Sequence, residues 1–339
     1  MSKSAPSERD LRRAFWADRP TLVTGSAGLL GSWLTMALVD AGAQVVGVIR
    51  DEIPYSNLQR SGYRDRIAIV RGDVTDYGLM ERAINEYEVD AVFHLAAQTI
   101  VTIANRAPMS TFEANIRGTW TVLEAARRSP TVSRIVIASS DKAYGAPEEL
   151  PYTEDMPLQG CHPYDASKAC ADLLGQTYAK TYALPVGITR CANLYGGGDL
   201  NWNRIVPGTV RSALRGERPI VRSDGSPLRD YLYVKDAVRA YMILAEHLDD
   251  PDLHGEPFNF GLEQPRSVLE MVNTIIAVSD HPELEPVILD EAKNEIQDQY
   301  LDSEKATRIL GWKPQYSLTE GLRETVRWYQ DFLLEQGAA

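Results

Sequence analysis

The sequence predicts an α/β fold, a doubly wound parallel sheet with a smaller mixed C-terminal subdomain, and three observations carry that expectation. Short apolar or β-branched runs alternate with helical patterns over the first half of the chain. A turn rich in glycine, Thr24 to Gly31, follows the first of those runs. After about Arg190 the rhythm breaks, and Gly196 to Gly198, Pro207, Gly216, Pro219, Gly225 and Pro227 punctuate shorter elements.

Taken in order, Thr21 to Thr24, Val45 to Ile49, Ile67 to Val70, Ala91 to Leu95, Arg134 to Ala138 and Val186 to Thr189 read as strands, each short and bounded by polar or turn residues. Leu30, Leu34 and Leu38 mark one face of a helix after the first strand, and longer helices are expected over Thr111 to Arg128 and Tyr164 to Thr181. Parallel strands need crossover connections, so this alternation implies a sheet covered by helices on both faces. The tail Leu318 to Gln330 reads as a surface helix. No internal repeat or low-complexity tract interrupts the pattern.

A chain of 339 residues is long enough for a large core beside a second, smaller unit. Its formal charge of -12, from 35 basic and 47 acidic side chains, argues against nucleic acid or an anionic membrane as partner. A local pair of arginines can still hold a diphosphate. Cys161, Cys170 and Cys191 form no CxxC or Cys/His pattern, so neither a metal site nor a disulfide framework is expected. Met1 to Pro20 is polar and charged, and no later run is apolar enough for a membrane span, so the expected compartment is the cytoplasm.

Thr24-Gly25-Ser26-Ala27-Gly28-Leu29-Leu30-Gly31 gives GxxGxxG between a strand and a helix. Such glycines allow a tight turn, close approach of backbone to a pyrophosphate and close helix packing, with the phosphates at the helix N-terminus. Gly25, Gly28, Leu29, Leu30 and Gly31 are therefore candidate cofactor contacts. Gly72-Asp73-Val74, His94-Leu95-Ala96-Ala97 and Tyr164-Asp165-Ala166-Ser167-Lys168 follow in order, each at a strand end or helix start. The ordered set resembles the extended short-chain dehydrogenase/reductases, the NAD-dependent epimerase/dehydratase family, over nearly the whole chain. That resemblance implies a Rossmann-type sheet, with Asp73 and Val74 flanking the adenine and Leu95 and Ala97 lining the cofactor cleft. It also implies an N-terminal extension over residues 1–19, a dinucleotide-binding domain over 20–190 and a mainly substrate-binding subdomain over 191–339. Arg50 stands at the end of the second strand, where a guanidinium can pair with a 2′-phosphate, which favours NADP and resembles GDP-mannose dehydratases. Asp51 one residue on would serve NAD, so both dinucleotides stay open.

Tyr164 and Lys168 lie one helical turn apart and project from the same face. An ammonium near the phenol, with the cofactor's positive ring, favours the phenolate, which makes Tyr164 the expected base for sugar oxidation. The segment Ser139-Ser140-Asp141-Lys142-Ala143-Tyr144-Gly145 resembles the one where sugar 4,6-dehydratases carry a hydroxyl, an acid and a further acid/base residue in succession. Ser140 matches the hydroxyl and Asp141 the acid, while Lys142 replaces a glutamate, and Ser-Asp-Lys is similar to CDP-glucose 4,6-dehydratases. Oxidation at carbon 4 acidifies the carbon 5 proton; a neutral Lys142 would remove it and Asp141 would protonate the departing carbon 6 hydroxyl.

Arg190-Cys191-Ala192-Asn193-Leu194-Tyr195-Gly196 resembles the segment whose asparagine contacts the substrate diphosphate in this family, which implies that role for Asn193. Gly197-Gly198-Asp199 with Arg204 and Pro207 resembles CDP-glucose dehydratases, and Arg229-Asp230-Tyr231 resembles a shared diphosphate-binding element. Arg204 and Arg229 are the expected cations, because a guanidinium meets a phosphate through two parallel bonds. The expectation is a nucleotide-diphospho-hexose 4,6-dehydratase, with CDP-glucose as a candidate substrate and a nucleotide-sugar 4-epimerase or a noncatalytic dinucleotide-binding protein as alternatives. The helices Thr111 to Arg128 and Tyr164 to Thr181 resemble the pair that forms a four-helix interface in this family, which implies a homodimer; Ala171, Leu174 and Tyr178 form an apolar stripe that fits such an interface or a buried intrachain face equally.

Overall fold

A helix, α1 (Glu8–Trp16), precedes the first strand in this computed structural model, which describes residues 8–291 and 296–337. Residues 1–7 of the expected N-terminal extension, and 292–295 and 338–339 of the expected C-terminal subdomain, lie outside the described residues. The helix is anchored, because Trp16 is fully buried, packs 5.8 Å from the Phe93 ring and donates its indole N–H to Glu246 Oε1 at 2.7 Å.

The order then runs β1 (Pro20–Thr24), α2 (Leu29–Asp40), β2 (Gln44–Ile49), α3 (Asn57–Arg60), β3 (Ala68–Arg71), α4 (Tyr77–Glu86), β4 (Ala91–His94), α5 (Val101–Arg106), α6 (Pro108–Phe112), α7 (Gly118–Arg128), β5 (Arg134–Ala138), α8 (Pro163–Tyr182) and β6 (Val186–Cys191). Shorter elements follow: β7 (Asn193–Tyr195), α9 (Ile205–Leu214), β8 (Ile220–Val221), β9 (Leu228–Arg229), β10 (Tyr231–Tyr233), α10 (Val234–His247) and β11 (Pro257–Phe260). The chain ends in β12 (Arg266–Ser267), α11 (Val268–Ala277), β13 (Val287–Ile288), β14 (Asp298–Gln299), α12 (Glu304–Leu310) and α13 (Leu318–Glu335).

The central sheet has seven strands in the order β3-β2-β1-β4-β5-β6-β11. The pairings from β3 through β6 are all parallel, as the strand–helix alternation predicts. Leu22, Val46, Val92, Ile135 and Ile188 come from successive strands and meet Met80, Ile84, Val122 and Leu123 of α4 and α7 in one buried cluster. The expected order of strand and helix thus stands, with boundaries displaced by a residue or two.

Two helical expectations differ from the structure, and a third, open between two readings, takes one of them. Thr111 to Arg128 is not one α-helix, because a π-helical turn, Glu113–Arg117, separates α6 from α7. Asn115 in that turn is 2% exposed and makes three side-chain hydrogen bonds, which periodicity alone does not encode. The tail helix α13 extends to Glu335, is started by a Ser317/Glu320 capping box, and buries Leu322, Val326, Tyr329, Phe332 and Leu333 along one face. On α8, Ala171 is buried and Leu174 and Tyr178 pack on the sheet core, so this stripe is an intrachain face and not a free one.

The chain divides into two compact units. One comprises residues 1–143, 160–189 and 241–257, and the other 144–159, 190–240 and 258–339. The first carries α2 to α8 with most of the sheet. The second carries the small sheets β10-β7, β12-β9-β14 and β13-β8. Among the described residues no helix is long and apolar enough to cross a membrane, and the three cysteines are free thiols.

Candidate active site

The turn after β1 has the form a dinucleotide needs. Gly25 adopts φ +69°, and a Cβ on Gly31 would lie 2.1 Å from Gly25 O, so side chains are excluded at both positions. Gly28 is the N-cap of α2, no side chain caps that end and its first turn carries no acid. A helix N-terminus that no side chain caps and that carries no negative charge suits a pyrophosphate, so the residues present fit the cofactor implied by the resemblance.

Around this turn, Asp73 Oδ1 accepts the Thr75 amide at 2.9 Å and Oδ2 faces Arg50 at 3.5 Å. Burial pushes the Asp73 carboxyl up, but Thr75 and Arg50 outweigh it and hold the group below its ordinary value. Arg50 also pairs with Asp51 at 2.7 Å and is more than half exposed. Val74 is buried in the core, where it packs closely on Gly118, and Leu95 and Ala97 are half-buried just past β4.

Thr24, at the end of β1, accepts the amides of Leu95 and Ala96 at 3.1 Å each through its hydroxyl oxygen. Its own hydroxyl proton is then directed to His94 Nδ1, 2.9 Å away. That fixes the imidazole as the Nε2–H tautomer, which donates to Thr119 Oγ1 at 3.1 Å, and Thr119 in turn donates to Asn115 O at 2.6 Å. Burial first, and then the charge of Lys168, push the His94 imidazole down to about 3, in keeping with a neutral ring. Asn115 Nδ2 donates to Ser167 Oγ at 2.9 Å, and Ser167 donates to the Tyr164 carbonyl at 2.7 Å. A continuous polar chain thus links the strand before the glycine turn to the helix bearing Tyr164 and Lys168. His94, Thr119 and Asn115 were not candidates from the sequence, although His94 sits inside a quoted motif; only the fold brings them together.

On α8, Lys168 is 5% exposed, donates from Nζ to Ala138 O at 2.7 Å and lies 5.9 Å from the Tyr164 ring centroid. Ala138 ends β5, and Ser140 follows with its hydroxyl donating to Asp141 Oδ1 at 2.9 Å. Ser140 Oγ also accepts the Lys142 amide at 3.2 Å, closing the short 3₁₀ turn Asp141–Tyr144. Ser140 and Asp141 are buried and Lys142 is half-buried. Five sequence candidates, Ser140, Asp141, Lys142, Tyr164 and Lys168, therefore lie at the junction of β5 with α8 in the first unit. The arrangement offers a hydroxyl, a buried carboxyl, an amine and a phenol with an adjacent cation, which is a set for successive proton transfers.

The three candidates for substrate phosphate belong to the second unit. Asn193 begins β7, pairs in register with Tyr231 of β10 and donates from Nδ2 to Asp230 O at 3.3 Å. Arg229 donates to the carbonyls of Leu228, Gln297 and Ile296 at 2.8, 2.9 and 2.6 Å. Arg204 is the N-cap of α9, pairs with Asp199 at 3.1 Å and keeps 38% of its side chain exposed. Asn193 and Arg229 are thus tied to one strand segment, whereas Arg204 stands on a separate helix.

Known proteins supply a further comparison. The family model for GDP-mannose 4,6-dehydratase matches residues 22–325. A CDP-glucose 4,6-dehydratase of Salmonella typhimurium is 30% identical over 336 residues, covering 94% of this chain and 92% of that protein. Among solved structures, a dTDP-glucose 4,6-dehydratase from Streptomyces venezuelae with NAD bound superposes with TM-score 0.82 at 30% identity, covering 93% of this chain and 98% of that one. A UDP-glucose 4-epimerase from Thermotoga maritima with UDP-glucose gives 0.83 at 30% identity, covering 93% and 99%.

Proposed function

This chain belongs to the GDP-mannose 4,6-dehydratase family, and from that premise we propose that it is a cytoplasmic nucleotide-diphospho-hexose 4,6-dehydratase forming a 4-keto-6-deoxy sugar, with CDP-glucose as the first substrate to try. The observation that carries the reading is the buried carboxyl of Asp141, held by the Ser140 hydroxyl at 2.9 Å and followed directly by Lys142. A 4-epimerase uses a hydroxyl, a tyrosine and a lysine but has no elimination to perform, so it leaves such a carboxyl without work.

When bound, the dinucleotide would supply a reversible hydride acceptor for carbon 4 and carbon 6. Gly25, Gly28, Leu29, Leu30 and Gly31 would hold its pyrophosphate, Asp73 its adenosine end, and Leu95 and Ala97 the wall beside it. NAD is the dinucleotide we favour: Arg50 is already engaged by Asp51 and Asp73, which opposes a 2′-phosphate, and the Streptomyces relative holds NAD. Tyr164 accepts the proton of the carbon 4 hydroxyl, with Ser140 hydrogen-bonding the same oxygen and the Lys168 charge favouring the phenolate. Once carbon 4 is a ketone, Lys142 as the free amine removes the carbon 5 proton. Asp141 gives its proton to the carbon 6 hydroxyl, which departs as water. Asn193, Arg204 and Arg229 would bind the diphosphate, Arg204 from the start of α9 where it pairs with Asp199, and Arg229 from the strand where its fork holds three carbonyls.

The protein acts as a homodimer in this reading, through the α5 to α8 region, where Met109, Phe112, Trp120 and Leu173 are exposed apolar side chains. The test of function is a panel of nucleotide-activated hexoses with product identification by mass and NMR. Loss of water and solvent deuterium at carbon 5 are expected, and Asp141→Asn should still reduce the dinucleotide in a single turnover while releasing little deoxy product. Conversion to the carbon 4 epimer alone would sink the proposal.

A further inference from the structure

Asp199 is a buried acid in the segment that leads to Arg204. It is 6% exposed, its Oδ2 meets Arg204 Nη1 at 3.1 Å, and its Oδ1 accepts the Asn201 amide at 3.1 Å. On charge alone a carboxylate does not belong there, because it repels the anion that Arg204 would hold. Its surroundings nevertheless fix it from several sides. Tyr329 of α13, fully buried, donates its hydroxyl to the Asp199 carbonyl at 2.6 Å. Two residues before Arg204, the Trp202 ring packs 5.6 Å from Tyr329 and 6.3 Å from Phe332. A Cβ on Gly197 would come within 2.2 Å of the Trp328 side chain, so the chain from Gly197 to Trp202 lies directly on α13. Arg204 closes the loop, its amide donating to Asn201 O at 2.9 Å and its carbonyl accepting the Gly208 amide of α9 at 3.0 Å.

We propose that Asp199 is a positioning residue that holds the Arg204 guanidinium in place for the substrate diphosphate. The inference rests on the reading of Arg204 as a diphosphate ligand. The two ends of the pair differ in exposure, 8% for the Asp199 side chain against 38% for that of Arg204, so the carboxylate grips from the interior while the arginine reaches solvent. The pair takes Nη1 of a fork that carries five N–H donors. An arginine on a flexible stem otherwise loses its rotamer freedom when the ligand arrives, and an ion pair already formed has met that cost before binding. The repulsion comes from a carboxylate whose charge is already balanced by its partner, so the gain from ordering exceeds it. Arg50 contrasts, because two carboxylates, both more exposed than Asp199, share its guanidinium and together oppose a further anion.

The test is calorimetric titration of the full chain, with NAD present, using whichever of CDP, dTDP, UDP and GDP binds most tightly, and the matching nucleoside as a ligand without phosphate. Arg204→Met should weaken the diphosphate about tenfold or more. Asp199→Asn keeps an oxygen for the Asn201 amide but loses the carboxylate. It should weaken the diphosphate about five- to tenfold and leave the nucleoside within about twofold of wild type. Asp199→Ser, whose hydroxyl can accept the same amide, should give the same loss and reads the effect should the asparagine variant fail to fold. In an Arg204→Met background neither change at Asp199 should lower diphosphate affinity further, because Asp199 acts through Arg204. A merely structural acid would lower it in both backgrounds. The inference is overturned if both Asp199 variants bind the diphosphate as wild type does, if nucleoside binding falls in parallel, or if the loss persists without Arg204. Failure of the diphosphate reading is seen separately, as a wild type that binds none of the four diphosphates or an Arg204→Met variant that binds them unchanged.

Discussion

Tyr164 and Lys168 are one turn apart on α8, with the Lys168 ammonium 5.9 Å from the phenol ring. Tyr164→Phe removes the proton acceptor and nothing from the glycine turn. It should abolish turnover with the dinucleotide Kd within about threefold of wild type, whereas Lys168→Met should weaken both; calorimetric titration and steady-state rates check this. His94 makes a second prediction. Its folded value is pushed down to about 3 by burial and Lys168, against about 6.5 in an unfolded chain. Between those values the unfolded chain binds more protons, so stability is fully present above about pH 6.5 and falls as pH drops toward about 3, by a few kcal/mol. Urea unfolding from pH 7 to pH 4 should show this loss in the wild type and a shallower one in His94→Gln. The sequence exposed Tyr164 and Lys168 because their chemistry depends on a local spacing of four. It hid the His94 role because that role depends on Thr24 and Thr119, 70 and 25 residues away.

At the scale of elements, α1 shows how a polar N-terminal stretch gains a structural role. Its Trp16 is fully buried, edge-on to Phe15 at 5.0 Å and against Phe93 of the central sheet, and Arg12 joins it on Glu246 at 3.0 Å. Truncation of Trp16 to alanine should cost roughly 3–5 kcal/mol, read as a lower urea midpoint. Removal of the indole N–H in Trp16→Phe should cost less, because the ring contacts survive. Leu11, Phe15 and Trp16 give the sequence of α1 an apolar side, but Phe93 and Glu246, which receive Trp16, lie 77 and 230 residues on, so the docking of α1 was not legible, whereas the six parallel strands were, each being a run bounded by turn residues.

For the whole molecule, the expected apolar stripe on α8 faces the core, and the exposed apolar residues lie elsewhere on the same group of helices. Leu173 is 52% exposed and Met109 74% exposed. If these faces meet across two copies, scattering should report a dimer at micromolar concentration. The double variant Met109→Glu with Leu173→Glu should then run as a monomer with an unchanged circular dichroism spectrum, because neither side chain supports its own core. A monomeric wild type would end the homodimer proposal.

The sequence by itself determined the strand and helix order, the glycine turn, the Tyr164–Lys168 pair and the succession Ser140-Asp141-Lys142. Each of these is a local pattern: periodicity comes from backbone geometry, a tight turn from missing Cβ atoms, and a shared face from 3.6 residues per turn. Tertiary structure alone decided which partners those residues meet. It set Arg50 between Asp51 and Asp73, gave the Arg229 fork three backbone carbonyls, widened the helix at Asn115 and turned Ala171, Leu174 and Tyr178 inward. The reason is physical: burial and charge pairing depend on distances between residues far apart in the chain, and a linear pattern holds no measure of those distances until the sheet closes.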